Sequence, residues 1–276
     1  MKTTFSRLIP NGKRRVHRTL YSRRCYHEKT ADNLLSQYAS HPPRPLNLST
    51  LLSFGRPLTQ QSILRSASYA LSEIPRRLAT RVRALEALPF IVGTNPFVAG
   101  TLRAYQESFK CLATYPSVKI IEDNAAFAAQ LDVLVRGHAH DIPTMAKGYV
   151  VRDHHLPTQS DYSGSFQECS RYMTPTEISN FLDGAIRNRI SVRLIAEQHI
   201  ALSQAIDDPQ KSNAHVGVID LTCSPSKMIK TCGAFVEELC NATLGASPSI
   251  VIDGHADATF AYVQTKAWRY YSALII

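Results

Sequence analysis

The run from Leu58 to Leu88 places apolar side chains at Leu64, Ala67, Leu71, Ile74, Leu78, Val82 and Leu85. Steps of three and four turn these residues to one side of a helix, whereas the period of two in a strand would scatter them over both faces. A helix of this length with a single apolar stripe needs partners of its own kind to hide that stripe. The chain supplies them. A second amphipathic stretch runs from about Pro96 to Leu112 through Val98, Leu102, Tyr105 and Phe109. A third spans Glu122–Lys147 through Phe127, Leu131, Leu134 and His138. The fourth, near 175–206, has a marked start: in "TPTE", Thr174 can cap, Pro175 takes the first helical position and Glu177 completes a capping box. Ile178, Phe181, Leu182, Ala185, Val192 and Ala196 then form its stripe. Pro75 is expected to bend the first helix, because proline cannot donate to the turn before it. Four such helices with shortish links predict a mainly α fold with a four-helix bundle over 51–212.

Beyond the bundle the texture changes. "HVGVIDL" reads as a strand, 225–243 as a helix ending near Gly245, and "SIVID" as another strand. This is the beginning of an α/β domain over 213–263, too short a stretch to close a nucleotide-binding sheet. In such an incomplete sheet Val216, Val218, Ile219, Ile250, Val251 and Ile252 are expected to be poorly buried. Two other stretches lack periodicity. Residues 28–50 are polar and Pro-rich and read as a linker. "YVVRDHHLPTQSDYSGS", 149–165, interrupts what otherwise reads as one helix and is taken as an insertion.

The net charge of +9 suggests nucleic-acid binding until it is located. Residues 1–27 hold eight Lys/Arg and no Asp or Glu, which leaves 23 basic against 22 acidic residues in the remainder. The body of the protein has no basic surplus for a phosphate backbone, so no nucleic-acid partner is expected. An Arg-rich, acid-free, Ser/Thr-dotted leader resembles a mitochondrial presequence, which points to the matrix. No apolar run is long enough for a membrane span. The six cysteines form no C-x-x-C pair and are expected to be reduced thiols, not zinc ligands.

No two glycines are closer than Gly93 and Gly100, so neither G-x-G-x-x-G nor G-x-x-x-x-G-K can be written in this sequence, and G-x-S-x-G is excluded with them. "GHAHD" and "DHH" invite a metal reading. However, His138 and His140 would face apart on a helix, no H-E-x-x-H is present, and no metal site is expected. Arg189 and Arg193 share one helix face at i, i+4. Such a pair usually forms a solvated edge. Here the two arginines flank Val192 beside the buried stripe, and if they point inward they call for an anion such as a small carboxylate.

Five collinear stretches carry a resemblance: "LLSFGRPLTQQSILRSASYALSEIPRRLATRVRALEALP", "HAHDIPTMAKG", "FLDGAIRNRISVRLIAEQH", "HVGVIDLTCSPSKMI" and "GHADATFAYV". Together, over roughly 45–148 and 166–263, they resemble the mitochondrial α-keto-acid dehydrogenase kinases, the pyruvate and branched-chain dehydrogenase kinases. The resemblance implies a four-helix bundle followed by a GHKL-type ATPase domain that uses ATP and Mg²⁺. It further implies phosphorylation of serines on the E1α subunit, docking on E2 lipoyl domains, and a homodimer. It also implies an inhibitory carboxylate pocket in the bundle, whose matching positions are Tyr105, Ser108, His138, Arg189 and Arg193. One departure lies beside it: the family arginine three residues before the histidine is Val135 here.

In the family, "FAYV" leads into the helix that carries the catalytic Glu and the Mg²⁺-holding Asn. Here "QTKAWRYYSALII", 264–276, follows, with neither Glu nor Asn, and no glycine comes after Gly254. The sequence as given is therefore expected to bind no ATP and to have no catalytic residue present. An interrupting segment and an off-family tail are both what unspliced introns would give. The alternative is a non-catalytic, lipoyl-domain-binding bundle.

Overall fold

A computed structural model describes residues 32–138, 172–206, 214–247 and 249–263. The described residues are mainly helical, with one small sheet. The expected leader (1–27), insertion (149–165) and tail (264–276) lie outside the described residues.

Two short helices come first, α1 over 32–39 and α2 over Leu48–Ser53. The first falls in the stretch read as a linker. Leu35 is buried and Tyr38 meets Phe109 edge to face at 5.6 Å, so a short i, i+3 apolar pair anchors it despite the polar surroundings. The long helix follows as α3, Gln60–Glu86, opened by a capping box between Thr59 and Ser62. It continues through Pro75 as one element. Its buried centre is Ile63, Ala67, Ala70, Ile74, Leu78, Val82 and Leu85, with Leu64 and Leu71 at the flanks. A short α4 (Phe90–Gly93) leads to α5, Pro96–Ala113, and then to α6, Ile121–Gly137. Helix α6 ends at Gly137 with His138 as its cap, at φ −90° and ψ 9°; the remainder of the expected span to Lys147, 139–147, lies outside the described residues. Helix α7, Pro175–Ala205, carries the expected Thr174–Glu177 capping box.

Helix α3 packs against α5, α7 and α6, and α6 packs against α7. Their stripes merge in one core that includes Leu78, Val82, Tyr105, Phe109, Phe127, Leu131, Val192 and Ile195. His199 of α7 is enclosed in the same interior, against the Phe127 ring at 5.2 Å and with Nδ1 3.0 Å from Ser66 Oγ. Burial pulls its pKa down from 6.5 to about 4.

"HVGVIDL" is a hairpin and not the single strand expected. β1 (His215–Val216) turns at Gly217–Val218 into β2 (Ile219–Cys223), pairing Val216 with Ile219. Gly217 has φ +62°, the left-handed region that glycine enters freely, and this is what permits the turn. Helix α8, Pro225–Leu244, follows and ends on Gly245 at φ +74°. "SIVID" is not a strand; the third strand is β3, Phe260–Val263, antiparallel to β2. The order is β1-β2-β3.

The expected exposure of the sheet is corrected in part. Val251 is 85% exposed and Ile250 about half, but Val216 and Ile219 are buried. Gln198 of α7, itself buried, ties this part of the hairpin to the helices. Its Nε2 donates to the carbonyls of Leu51 (3.1 Å) and Val216 (3.2 Å), and its Oε1 accepts from the Val218 N–H at 2.8 Å. One side chain thus holds the hairpin and α2 against the helices.

Gln198→Leu should orphan all three backbone groups. At about 1 kcal/mol net for each lost bond, urea unfolding should show a loss of about 3 kcal/mol, and an unchanged midpoint would refute the clamp. His199 gives a pH signature. Its folded-state pKa lies below the unfolded value, so its contribution is complete above about 6.5 and declines as the pH falls toward about 4, by about 3 kcal/mol in all. Urea midpoints measured from pH 7 to 4.5 should carry this slope, and His199→Gln should flatten it.

Candidate functional site

The cleft of interest lies where α3, α5, α6 and α7 meet near the end of α6. Tyr105 and Ser108 stand on α5 at i, i+3 and so share a face. The early stop of α6 brings His138 onto them: its Nε2 is 2.8 Å from Ser108 Oγ, and its ring lies 4.5 Å from that of Tyr105. Helix α7 contributes Asn188, Arg189, Val192 and Arg193, and Leu78, Leu134 and Val135 complete the lining. Four of the five residues singled out from sequence, Tyr105, His138, Arg189 and Arg193, thus line one cleft, and the fifth, Ser108, is hydrogen-bonded to His138. The two arginines point inward, not along a solvated edge.

Their surroundings explain the placement. Asn188 Nδ2 donates to the Arg77 carbonyl at 2.7 Å, and Arg77 Nη1 donates to Ser191 Oγ at 3.2 Å. These bonds from α3 fix the rotation of α7, and the residue between them, Arg189, follows that rotation into the cleft. Arg193 is held by Glu197, with Nε 2.7 Å from Oε1. Sequence reasoning missed Asn188 and Glu197, although the i, i+4 spacing of Arg193 and Glu197 was a usable signal.

The cleft is tight. The space left free is about 20 Å³, on the scale of one water molecule. Leu134 and His138 also line a wider cleft of about 350 Å³ between α5 and α6, whose wall includes Ser108, Glu107 and Cys111. The Ser108–His138 pair therefore stands between a small interior void and a broad opening. Two guanidinium groups with tyrosine and histidine nearby offer charge-assisted donors to an anion. Val135 adds an apolar wall and no charge.

A model of the family described as "Mitochondrial branched-chain alpha-ketoacid dehydrogenase kinase" matches residues 45–220. Among curated proteins, a mitochondrial [pyruvate dehydrogenase (acetyl-transferring)] kinase of Arabidopsis thaliana is 27% identical over 80% of this chain and 55% of its own length. The human isozyme 3 of that kinase is 28% identical over 79% of this chain and 51% of its own. Kinase 2 of Saccharomyces cerevisiae is 24% identical over 87% of this chain and 47% of its own. The chain thus spans about half the length of the curated relatives it matches. The family match covers well over half of the chain itself and every residue of the cleft, and the chain belongs to the mitochondrial branched-chain α-ketoacid dehydrogenase kinase family.

Proposed function

We propose that this protein acts on a mitochondrial α-keto-acid dehydrogenase complex, pyruvate or branched-chain, as its relatives' names indicate for them. The line of descent is that of a protein-serine/threonine kinase, a transferase of the matrix, that phosphorylates and so inactivates E1α. In this reading α3, α5, α6 and α7 are the family's four-helix bundle, which docks on an E2 lipoyl domain. The β1–β2 hairpin, α8 and β3 are the opening of its GHKL-type ATP-binding domain. The observation that carries the reading is the coincidence of two independent findings: a family match over 45–220 and, inside it, a cleft built from Tyr105, Ser108, His138, Arg189 and Arg193. The cleft takes a small carboxylate effector.

ATP and Mg²⁺ are the family's cofactors, and the residues present do not fit them. The sequence as given holds neither phosphate cradle, and among the described residues no three His, Cys, Asp or Glu side chains gather to hold an ion. Phosphoryl transfer depends on positioning both. The 276 residues given are thus read as the docking part of that kinase, without its ATP site. Among the described residues no helix is long and apolar enough to cross a membrane.

Two measurements test this. Passed over immobilised E2 lipoyl domain, the 276-residue chain should be retained, and incubated with labelled ATP and E1α it should label no more than a kinase-free control. Labelling clearly above that control refutes the non-catalytic reading, and failure to be retained refutes docking. Calorimetric titration with pyruvate should show saturable binding. Arg193→Ala should weaken it ten- to a hundredfold, the worth of one charge-assisted pair of about 1.5–3 kcal/mol.

A further inference from the structure

Arg193 lines the cleft, but it is already engaged. Its Nε lies 2.7 Å from Oε1 of Glu197, one turn further along α7, and both side chains are only 22% exposed. The comparable pairs Arg136–Asp132 and Arg187–Asp183 lie largely in solvent, where an ion pair is worth little. Drier surroundings make the Arg193–Glu197 contact stronger. Among the described residues no Asp or Glu lines the cleft itself, Val135 contributes no charge, and the permanent cations there are Arg189 and Arg193. The charge on Arg193 is answered by Glu197.

We propose that Glu197 is a built-in counter-ion that sets how tightly, and for which anions, the cleft binds. This rests on reading the cleft as a carboxylate site. An incoming carboxylate engages Arg193 only by sharing the guanidinium with Glu197 or displacing it, and it approaches a like charge as it does so. The ligand class favoured is a small monocarboxylate held with modest affinity. A second negative charge on the ligand would meet Glu197 without adding a cation.

The test is pyruvate titration of the 276-residue chain by calorimetry, with urea midpoints recorded for every variant. Glu197→Gln keeps the shape and removes the charge, and it should tighten pyruvate binding by about tenfold, the scale of a charge-assisted hydrogen bond released to the ligand. A merely structural Glu197 cannot give that sign, because losing a helix-stabilising pair does not strengthen a ligand. In an Arg193→Ala background the same change should have no effect. Glu197→Asn, a second neutral variant, should tighten binding as Gln does and serves if the first folds poorly. Unchanged or weaker binding in both neutral variants, with Arg193→Ala still weakening pyruvate, overturns the counter-ion and leaves the carboxylate site standing. Absence of saturable binding in the parent chain, or indifference to Arg193→Ala, overturns the carboxylate site and this inference with it.

Discussion

Glu73 is fully buried in the middle of α3, and a buried carboxylate without partners costs several kcal/mol. Its partners come from three directions. The Arg44 N–H donates to it at 3.1 Å, with the Arg44 guanidinium at 3.6 Å, and Arg76 and Arg77 stand at 3.4 and 3.7 Å. Arg77 in turn donates to the Arg44 carbonyl at 2.6 Å and to Ser191 on α7. The chain ahead of α2, the centre of α3 and the middle of α7 are thus tied through one charge. Apolar packing would let these helices slide or rotate, since many registers bury similar area. A directional network of this kind admits far fewer. Which residues of α7 face the cleft depends on it, because Asn188 and Ser191 are its contacts and Arg189 lies between them.

Helix α7 reads as a sequence of duties along one rod. Asn188 and Ser191 take their register from α3, Arg189 and Arg193 reach the cleft, Glu197 answers Arg193, Gln198 grips the hairpin, and His199 fills the core. A rigid helix makes these duties interdependent, since turning one residue turns the rest by the same angle.

The long helices were legible because stripes at Leu78, Val82, Phe127 and Val192 repeat over many turns, and caps such as Thr174–Glu177 mark their ends locally. The fate of short elements was less legible. Gly137 ended α6 where the apolar pattern ran on, and "SIVID" stayed irregular because β-branched composition alone does not supply a neighbour to pair with. In "HVGVIDL" the glycine was the missed signal, a left-handed turn hidden in an apolar run. The cleft residues were named through resemblance and spacing. What spacing could not show was the buried polar wiring of Glu73, Arg77, Asn188 and Gln198, because a polar residue in an amphipathic pattern looks the same whether it meets water or a backbone carbonyl in the interior. For the same reason the tie between Gln198 and the hairpin was not legible, and Val216 and Ile219 looked stranded.

The Gln198 clamp has a consequence for how the molecule opens. The core of α3, α5, α6 and α7 is held by extensive apolar burial, whereas the hairpin backbone is tied to α7 by two bonds of a single side chain, whose third bond holds α2. Local openings occur first where few interactions must break at once. The Val218 amide, hydrogen-bonded to Gln198 Oε1, should thus exchange its hydrogen through release of the sheet while amides in the middle of α7 remain protected. The sheet and the helices form two units of different persistence, and the boundary between them runs through one amide side chain.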